Sequence, residues 1–304
     1  MHLTVAICTW NRAELLRQTL ERMTRLWISP GSSWEVIVVN NSGDDDTDSV
    51  IRDFTARLPI RPIWEQIPGL SNARNAAVAA AGGDYIIWTD DDVLVGQNWL
   101  AAYASAFALY PNAVVFGGPI EPWFHEPTPR WLKAAFHEVE TAYAVRNYDC
   151  GDVPLTAEIV PFGANMAFRA SVLRDLPFDP NLGRVGNTML GGEEEVLIRS
   201  LLSRGLPGRW VADARVQHYI PPERQTIQYL RRFYEGVGAT KARLVPHSNG
   251  RLFIGRPLWV WQERVTTAIQ YRADRIHTAP PVWVRSLKRA SMARGRFANS
   301  VKRT

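Results

Sequence analysis

Apolar residues in the first third of the chain follow two alternating rhythms. Short, nearly unbroken apolar runs at 3–8, 35–39, 60–65 and 85–89 mark strands. Between them apolar positions recur every three or four residues, as Leu15, Leu16, Leu20 and Met23 do, which sets them on one side of a helix. The spacing predicts helices over 13–23, 48–58, 71–81 and 99–110 and a further strand over 113–116. Strands buried on both faces and separated by helices predict an α/β fold. Its central sheet should be mostly parallel, covered by helices on both faces, with right-handed connections.

The rhythm breaks at Gly117. From Pro119 to Pro161 prolines and aromatics such as Pro122, Trp123, Phe124, Pro127, Pro129 and Trp131 replace periodicity. This predicts a long loop with one helix over 131–145, and loops of that length in compact domains usually bind something. The pattern resumes with a strand over 162–168, a short helix over 171–176, and a helix over 194–204 with Val196, Leu197, Leu201 and Leu202 inward. After 211–218 the chain reads as helical and basic, with a long helix over 226–244 and an amphipathic one over 281–302. We therefore expect a main domain at 1–219, with halves 1–118 and 119–219, and a helical basic C-terminal extension at 220–304.

Composition supports a packed core: 46% of the 304 residues are hydrophobic, with 12 Trp, 9 Tyr and 11 Phe. That content argues against disorder. Two cysteines, Cys8 and Cys150, exclude a disulfide framework, and Cys8 within a strand pattern reads as a buried reduced thiol. No run of 18 uncharged apolar residues exists, and the opening Met-His-Leu-Thr-Val lacks the basic start of a secretory signal, so a cytoplasmic location is expected.

The net charge of +5 is unevenly spread. Residues 220–304 hold 17 Lys and Arg against 4 Asp and Glu, whereas 1–219 hold 18 against 26. A basic tail on an acidic body implies a polyanion, either an anionic membrane at the inner face of the plasma membrane or a phosphate-bearing acceptor. A solvated face or a homodimer contact explains the tail equally well. No nucleic-acid recognition motif accompanies the charge, so nucleic acid is not an expected partner.

Candidate chemistry collects at strand ends. Asp90-Asp91-Asp92 directly follows the run 85–89. In open α/β sheets ligands bind beyond the carboxyl ends of strands, and a cluster of carboxylates there suits Mn2+ or Mg2+. Taken alone the triplet also reads as an acidic turn. The first strand is followed by Thr9-Trp10-Asn11-Arg12, without a Gly-x-Gly-x-x-Gly, and no phosphate-binding Gly-x-x-x-x-Gly-Lys-[Ser/Thr] occurs. A nucleotide could still lie across the strand ends, using polar groups such as Asn40-Asn41-Ser42-Gly43. Glu193, Glu194 and Glu195 open the 194–204 helix, where acidic residues either complement the helix dipole or supply a general base.

Several segments in sequence, 5–12, 35–42, 69–77 with 83–86, Asp90-x-Asp92, 163–169 and Gly191-Gly192-Glu193-Glu194, resemble the motifs of family 2 glycosyltransferases, over roughly 3–245. The resemblance implies the GT-A fold, with 1–118 binding a nucleotide-sugar and 119–219 the acceptor. By the same resemblance Thr9, Trp10, Asn11 and Arg12 line the nucleoside pocket, Asn40 and Asn41 lie at the base, and Arg74 approaches the diphosphate. Asn40 stands where the family most often has Asp. An Asn carbonyl accepts the uracil N3–H as Asp does, which favours UDP, but its donor face could serve another base. Asp92 is implied as direct metal ligand, Asp90 at the ribose or through water, Asp91 nearer the donor sugar, and His218 as a later metal or diphosphate contact.

Glu194 falls on the position of the family's catalytic base, usually an Asp, and Glu193 could share the task. A base opposite the leaving diphosphate implies inversion. Processive members carry Gln-x-x-Arg-Trp and membrane helices. Arg130-Trp131 and Arg209-Trp210 lack that Gln, so a single addition to a glycan or lipid-linked acceptor is expected. The 229–236 segment resembles bacterial members that build exopolysaccharide, O-antigen or related glycoconjugates. Two competing readings are a noncatalytic sugar-nucleotide or glycan binder, favoured by Asn40 and Glu194, and a nucleotidyltransferase, in which the 163–168 strand and the following glutamates are not expected.

Overall fold

The computed structural model describes residues 1–183, 192–244 and 252–300. In chain order the elements are β1 His2–Thr9, α1 Ala13–Met23, β2 Ser33–Asn41, α2 Thr47–Phe54, β3 Ile60–Glu65, α3 Leu70–Ala80, β4 Tyr85–Asp90, β5 Val93–Val95, α4 Trp99–Leu109, β6 Val115–Gly117 and β7 Ile120–Phe124. They continue with α5 Arg130–Ala135, β8 Asn165–Arg169, α6 Ala170–Asp175, α7 Glu193–Ser203, β9 Gly208–Trp210, β10 Val216–Ile220, α8 Ile227–Leu244, β11 Leu252–Phe253, β12 Arg256–Pro257, α9 Leu258–His277 and α10 Pro280–Ala298.

Contacts divide the chain into two compact units. The first comprises Met1–Trp123, Ala144–Gly186 and Gly192–Tyr219, and the second contains Phe124–Tyr143 and Ile220–Thr304. The first unit is built on a seven-stranded sheet in the order β3-β2-β1-β4-β8-β6-β9. Strands β3, β2, β1 and β4 run parallel, as do β6 and β9, and β8 is antiparallel to both its neighbours. Alternate side chains of one strand go to opposite faces. Leu3, Val5 and Ile7 accordingly enter a core with Leu16, Leu20, Val50, Phe54, Tyr103 and Phe107, whereas Ala6, Ile37 and Val39 enter one with Ala73, Ala77, Leu173 and Leu201. A three-stranded sheet, β5-β10-β7, supplies the second layer of strands near the site.

Asn165 ties this unit together. Its Oδ1 accepts from Trp99 Nε1 at 2.9 Å and Tyr103 Oη at 2.8 Å, and its Nδ2 donates to the carbonyls of Pro119 at 3.0 Å and Ala214 at 2.6 Å. Gly118 lies against it because a Cβ there would strike the Ala214 carbonyl.

The long loop expected over 119–161 is partly ordered into elements. β7 occupies its start, because Ile120 exchanges backbone hydrogen bonds with Arg146 and β7 joins β10. The single helix expected over 131–145 is instead α5 followed by 3-10 turns at Phe136–Glu138 and Glu140–Tyr143. The break falls at Val139, whose φ of −131° leaves the helical region. In the second unit α10 packs against both α8 and α9. It approaches α8 at two glycines: a Cβ on Gly295 would meet the Glu235 carbonyl, and one on Gly238 the Met292 carbonyl. The end of the expected 281–302 helix falls partly outside the described residues. Both cysteines are free thiols.

Candidate active site

β1 and β4 lie side by side in parallel, with Cys8 opposite Asp90, so their carboxyl ends open at one edge of the sheet. The chain leaving β4 is pinned from several directions. Thr9 Oγ1 donates to Asp91 Oδ2 at 2.8 Å, and Thr19 Oγ1, from the buried side of α1, donates to the Asp91 carbonyl at 2.8 Å. Arg12 Nη1 donates to Asp91 Oδ1 at 3.0 Å and Asp92 Oδ2 at 3.2 Å. Burial pushes the Asp91 carboxyl up to about 6, against the opposing pull of Arg12 and with Asp92 adding to it.

β10 then brings in His218. It pairs antiparallel with β5, placing His218 opposite Val93, and Tyr219 N donates to the Asp92 carbonyl at 2.9 Å. His218 Nε2 stands 3.2 Å from Asp92 Oδ1. Asp90, Asp92 and His218 can each point one ligand atom into a space where all three atoms lie within 4.8 Å of one another. Two carboxylates with one imidazole form a donor set that fits Mn2+ or Mg2+, with positions left for phosphate oxygens.

A second polar layer surrounds the turn after β2. Asn11, in the left-handed region at φ 52°, exchanges two hydrogen bonds with Asp44: its Nδ2 donates to Asp44 Oδ1 at 2.7 Å, and its Oδ1 accepts from Asp44 N at 2.8 Å. Asn40 Oδ1 accepts from Gly43 N at 3.1 Å and its Nδ2 donates to Asp48 Oδ1 at 3.0 Å, so both ends of this amide are engaged within the turn. Asn41 binds the carbonyls of Glu65 and Ile67 and accepts from Gly69 N at 2.8 Å, which anchors the start of α3. Trp10 is 40% exposed.

Arg74 and the glutamates of α7 make a third group. Arg74, on the buried side of α3, donates through Nη1 to Glu193 Oε1 at 2.6 Å and stands 3.8 Å from Glu194 Oε2. Phe178 and Trp88 present ring faces to its guanidinium, with centroids 5.2 Å and 5.9 Å away. Glu193 is buried, and burial together with Glu194 raises its carboxyl to about 7 although Arg74 pulls the other way. Glu194 is less enclosed, and its Oε2 has no hydrogen-bond partner among the described residues. Gly163 leaves room for this group, because a Cβ there would run into the Arg74 guanidinium.

The structure thus gathers Thr9, Arg12, Asp90, Asp91, Asp92 and His218 in one cluster and Arg74, Glu193 and Glu194 in another. Cys8 links them: its thiol feels Asp90 and Asp91 as well as Arg74 and Glu193, and burial drives it up to about 12. Sequence reasoning did not single out Asp44 or Thr19. Asp44 sits in a run of three aspartates that reads as a solvated turn. Thr19 could have been noticed as a polar residue at a core position of an amphipathic helix.

The glycosyl transferase family 2 model matches residues 4–176. Succinoglycan biosynthesis protein ExoM of Rhizobium meliloti is 23% identical over 81% of this chain and 75% of its own length. Glucosyl-dolichyl phosphate glucuronosyltransferase of Haloferax volcanii is 23% identical over 78% of this chain and 75% of its own. Among solved structures, a Pyrobaculum calidifontis mannosyltransferase in complex with GDP-Man and Mn2+ superposes with a TM-score of 0.64 at 17% identity, over 98% of this chain and 86% of that one. TarS residues 1–349 of S. aureus in complex with UDP-GlcNAc superposes with a TM-score of 0.56 at 13% identity, over 97% and 90%. With the sheet order, these likenesses give the fold as GT-A. Because the family match spans more than half of the residues, the chain belongs to glycosyl transferase family 2 and is a glycosyltransferase.

Proposed function

We propose that the enzyme is an inverting, divalent-cation-dependent transferase that moves one sugar from a nucleoside-diphosphate donor, UDP foremost, to a hydroxyl of a glycan or lipid-linked acceptor. The observation that carries this reading is the presence, in one unit, of the Asp90–Asp92–His218 donor set and of the Arg74–Glu193–Glu194 group, with Cys8 within electrostatic reach of both. The solved neighbours in complex with GDP-Man and with UDP-GlcNAc support a nucleotide-sugar donor in the same fold.

Asp92, Asp90 and His218 would hold Mn2+ or Mg2+, which when bound supplies Lewis-acid stabilisation of charge on the departing diphosphate. Thr9, Arg12 and Asn11 border the nucleoside side, where Arg12 keeps Asp91 and Asp92 oriented. Asn40 and Asn41 shape the turn that receives the base, and a second lone pair on the Asn40 carbonyl is suited to the uracil N3–H.

Glu194 takes the proton of the acceptor hydroxyl as that oxygen attacks the anomeric carbon from the face opposite the diphosphate, which inverts that carbon. Arg74 fixes Glu193, and Glu193 holds Glu194 beside it in the first turn of α7. Glu194 is the less enclosed of the pair, and its Oε2 has no hydrogen-bond partner among the described residues, which suits it to receive the acceptor's proton.

Transfer from a panel of nucleotide sugars, with product configuration read by NMR, tests the reading. An inverted anomeric centre is expected, and Glu194→Gln should lower turnover by about 10²–10⁴-fold while donor binding stays within a few-fold. A retained centre, or undiminished turnover in Glu194→Gln, contradicts it.

A further inference from the structure

α9 has two unlike faces. Val260 and Asp274 are buried, and Thr267 lies on the same side. On the opposite side, at spacings of seven, four and seven residues, Leu258, Val265, Ile269 and Ile276 form one stripe. They are 41%, 52%, 61% and 76% exposed. A helix already packed through one side has no need of four aliphatic side chains on the other, and single exposed apolar residues are ordinary where a continuous stripe is not.

The hairpin β11–β12 extends this surface. Leu252, Phe253 and Ile254 are 52%, 52% and 71% exposed, and the Phe253 ring packs edge-on against Trp261, one turn into α9 and next to the stripe. Trp261 Nε1 also donates to the Phe253 carbonyl at 2.9 Å, which holds the hairpin there. Two different elements therefore present apolar side chains from neighbouring positions.

Charge selects the occupant. The two acidic residues of α9 are both turned away from the stripe: Glu263 is paired with Arg296, and Asp274 is buried against Gln270 and Ser286. Arg272 lies beside the stripe, in a segment with 17 Lys and Arg against 4 Asp and Glu, whereas Arg275 stacks on the Trp283 ring of α10. A second copy of the same surface would bring like charge to like charge. An anionic lipid surface offers apolar depth to the stripe and negative headgroups to Arg272 and the basic segment around it. No described helix is long and apolar enough to cross a membrane, so the contact would be peripheral.

We propose that α9 and the tip of the β11–β12 hairpin bind in the plane of an anionic bilayer, with Leu258, Val265, Ile269, Ile276, Phe253 and Ile254 entering the headgroup region and Arg272, at the edge of the stripe, meeting lipid phosphates.

Cosedimentation of the full chain with phosphatidylcholine vesicles, with and without phosphatidylglycerol, tests this. Binding is expected only with phosphatidylglycerol present, weakening in high salt and falling by about ten-fold or more in Ile269→Asp and in Val265→Asp. Both positions are exposed, so the fold and the hydrolysis of a nucleotide-sugar donor in free solution should stay at wild-type levels. Absence of wild-type binding to the phosphatidylglycerol vesicles overturns the proposal, as does undiminished binding by both variants. Light scattering that finds a wild-type dimer made monomeric by Ile269→Asp would assign the stripe to a second copy and overturn it as well.

Discussion

The glutamate pair of α7 shows how one residue's chemistry is set by its neighbours. When ionised, Glu193 holds its charge in a buried position, beside a second carboxylate, with Arg74 as its one close cation among the described residues. Its carboxyl rises from 4.5 to about 7, so the native state binds its proton more tightly than the unfolded chain does. The stabilising contribution of that bound proton is complete below about 4.5 and is lost as pH rises from there through about 7. Glu193→Gln keeps the shape and removes the titration. Chemical denaturation at about pH 5 and about pH 8 should therefore find that the variant loses less stability than the wild type over this interval. An equal loss in both proteins would show that Glu193 ionises normally. Arg74 was singled out only through the family resemblance, which implied a place near the diphosphate. Its closest acidic partner lies 119 positions away on α7, and no local pattern encodes a pairing at that distance.

At the scale of elements, the glycines and polar hubs decide how closely pieces pack. Asn165 uses all of its amide hydrogen-bonding capacity within the core, so Asn165→Ala strands two donors and two carbonyls at once. A loss of roughly 2–4 kcal/mol in unfolding free energy is expected, since each buried group left unpaired costs about 1–3 kcal/mol and repacking recovers part of it. Stability within experimental error of wild type would remove Asn165 from that role. In the second unit Gly295→Ala should cost about 1–3 kcal/mol, because the added methyl meets the Glu235 backbone and α8 and α10 must separate. An unchanged denaturation midpoint would argue that the helices are not so close.

Some of these elements could be read directly and others could not. β1 to β4 and α1 to α4 were legible because apolar runs and helical spacing alternate cleanly, although β3 at the sheet edge is only partly buried, and the three-residue β5 was not anticipated. β7 was hidden by the surrounding prolines, and its partners, β10 and Arg146, are distant in sequence. α9 was read only as part of a helical extension, without bounds, because its apolar residues lie on two opposite sides, Val260 inward and Leu258, Val265, Ile269 and Ile276 outward, which blurs the single-face rhythm that marks a helix.

Across the whole molecule, two compact units divide the labour. The first carries the parallel strand ends, the aspartate run and the glutamate pair, and the second carries most of the excess positive charge and the exposed stripe of α9. The aspartate run was legible as a candidate cation site because it directly follows an apolar strand. His218 was implied by the family resemblance and not by spacing, because β10 reaches the site only by pairing with β5 in the second sheet layer. No motif in the sequence names the sugar or the acceptor.

The central claim is that Asp90, Asp92 and His218 hold a divalent cation on which sugar transfer depends. The most direct measurement is turnover of the full chain with its best nucleotide-sugar donor after removal of metal by EDTA, followed by titration with Mn2+. Activity should fall at least about a hundred-fold without metal, in keeping with the several kcal/mol a Lewis acid contributes, and return with Mn2+. Turnover that continues undiminished in EDTA would contradict the account.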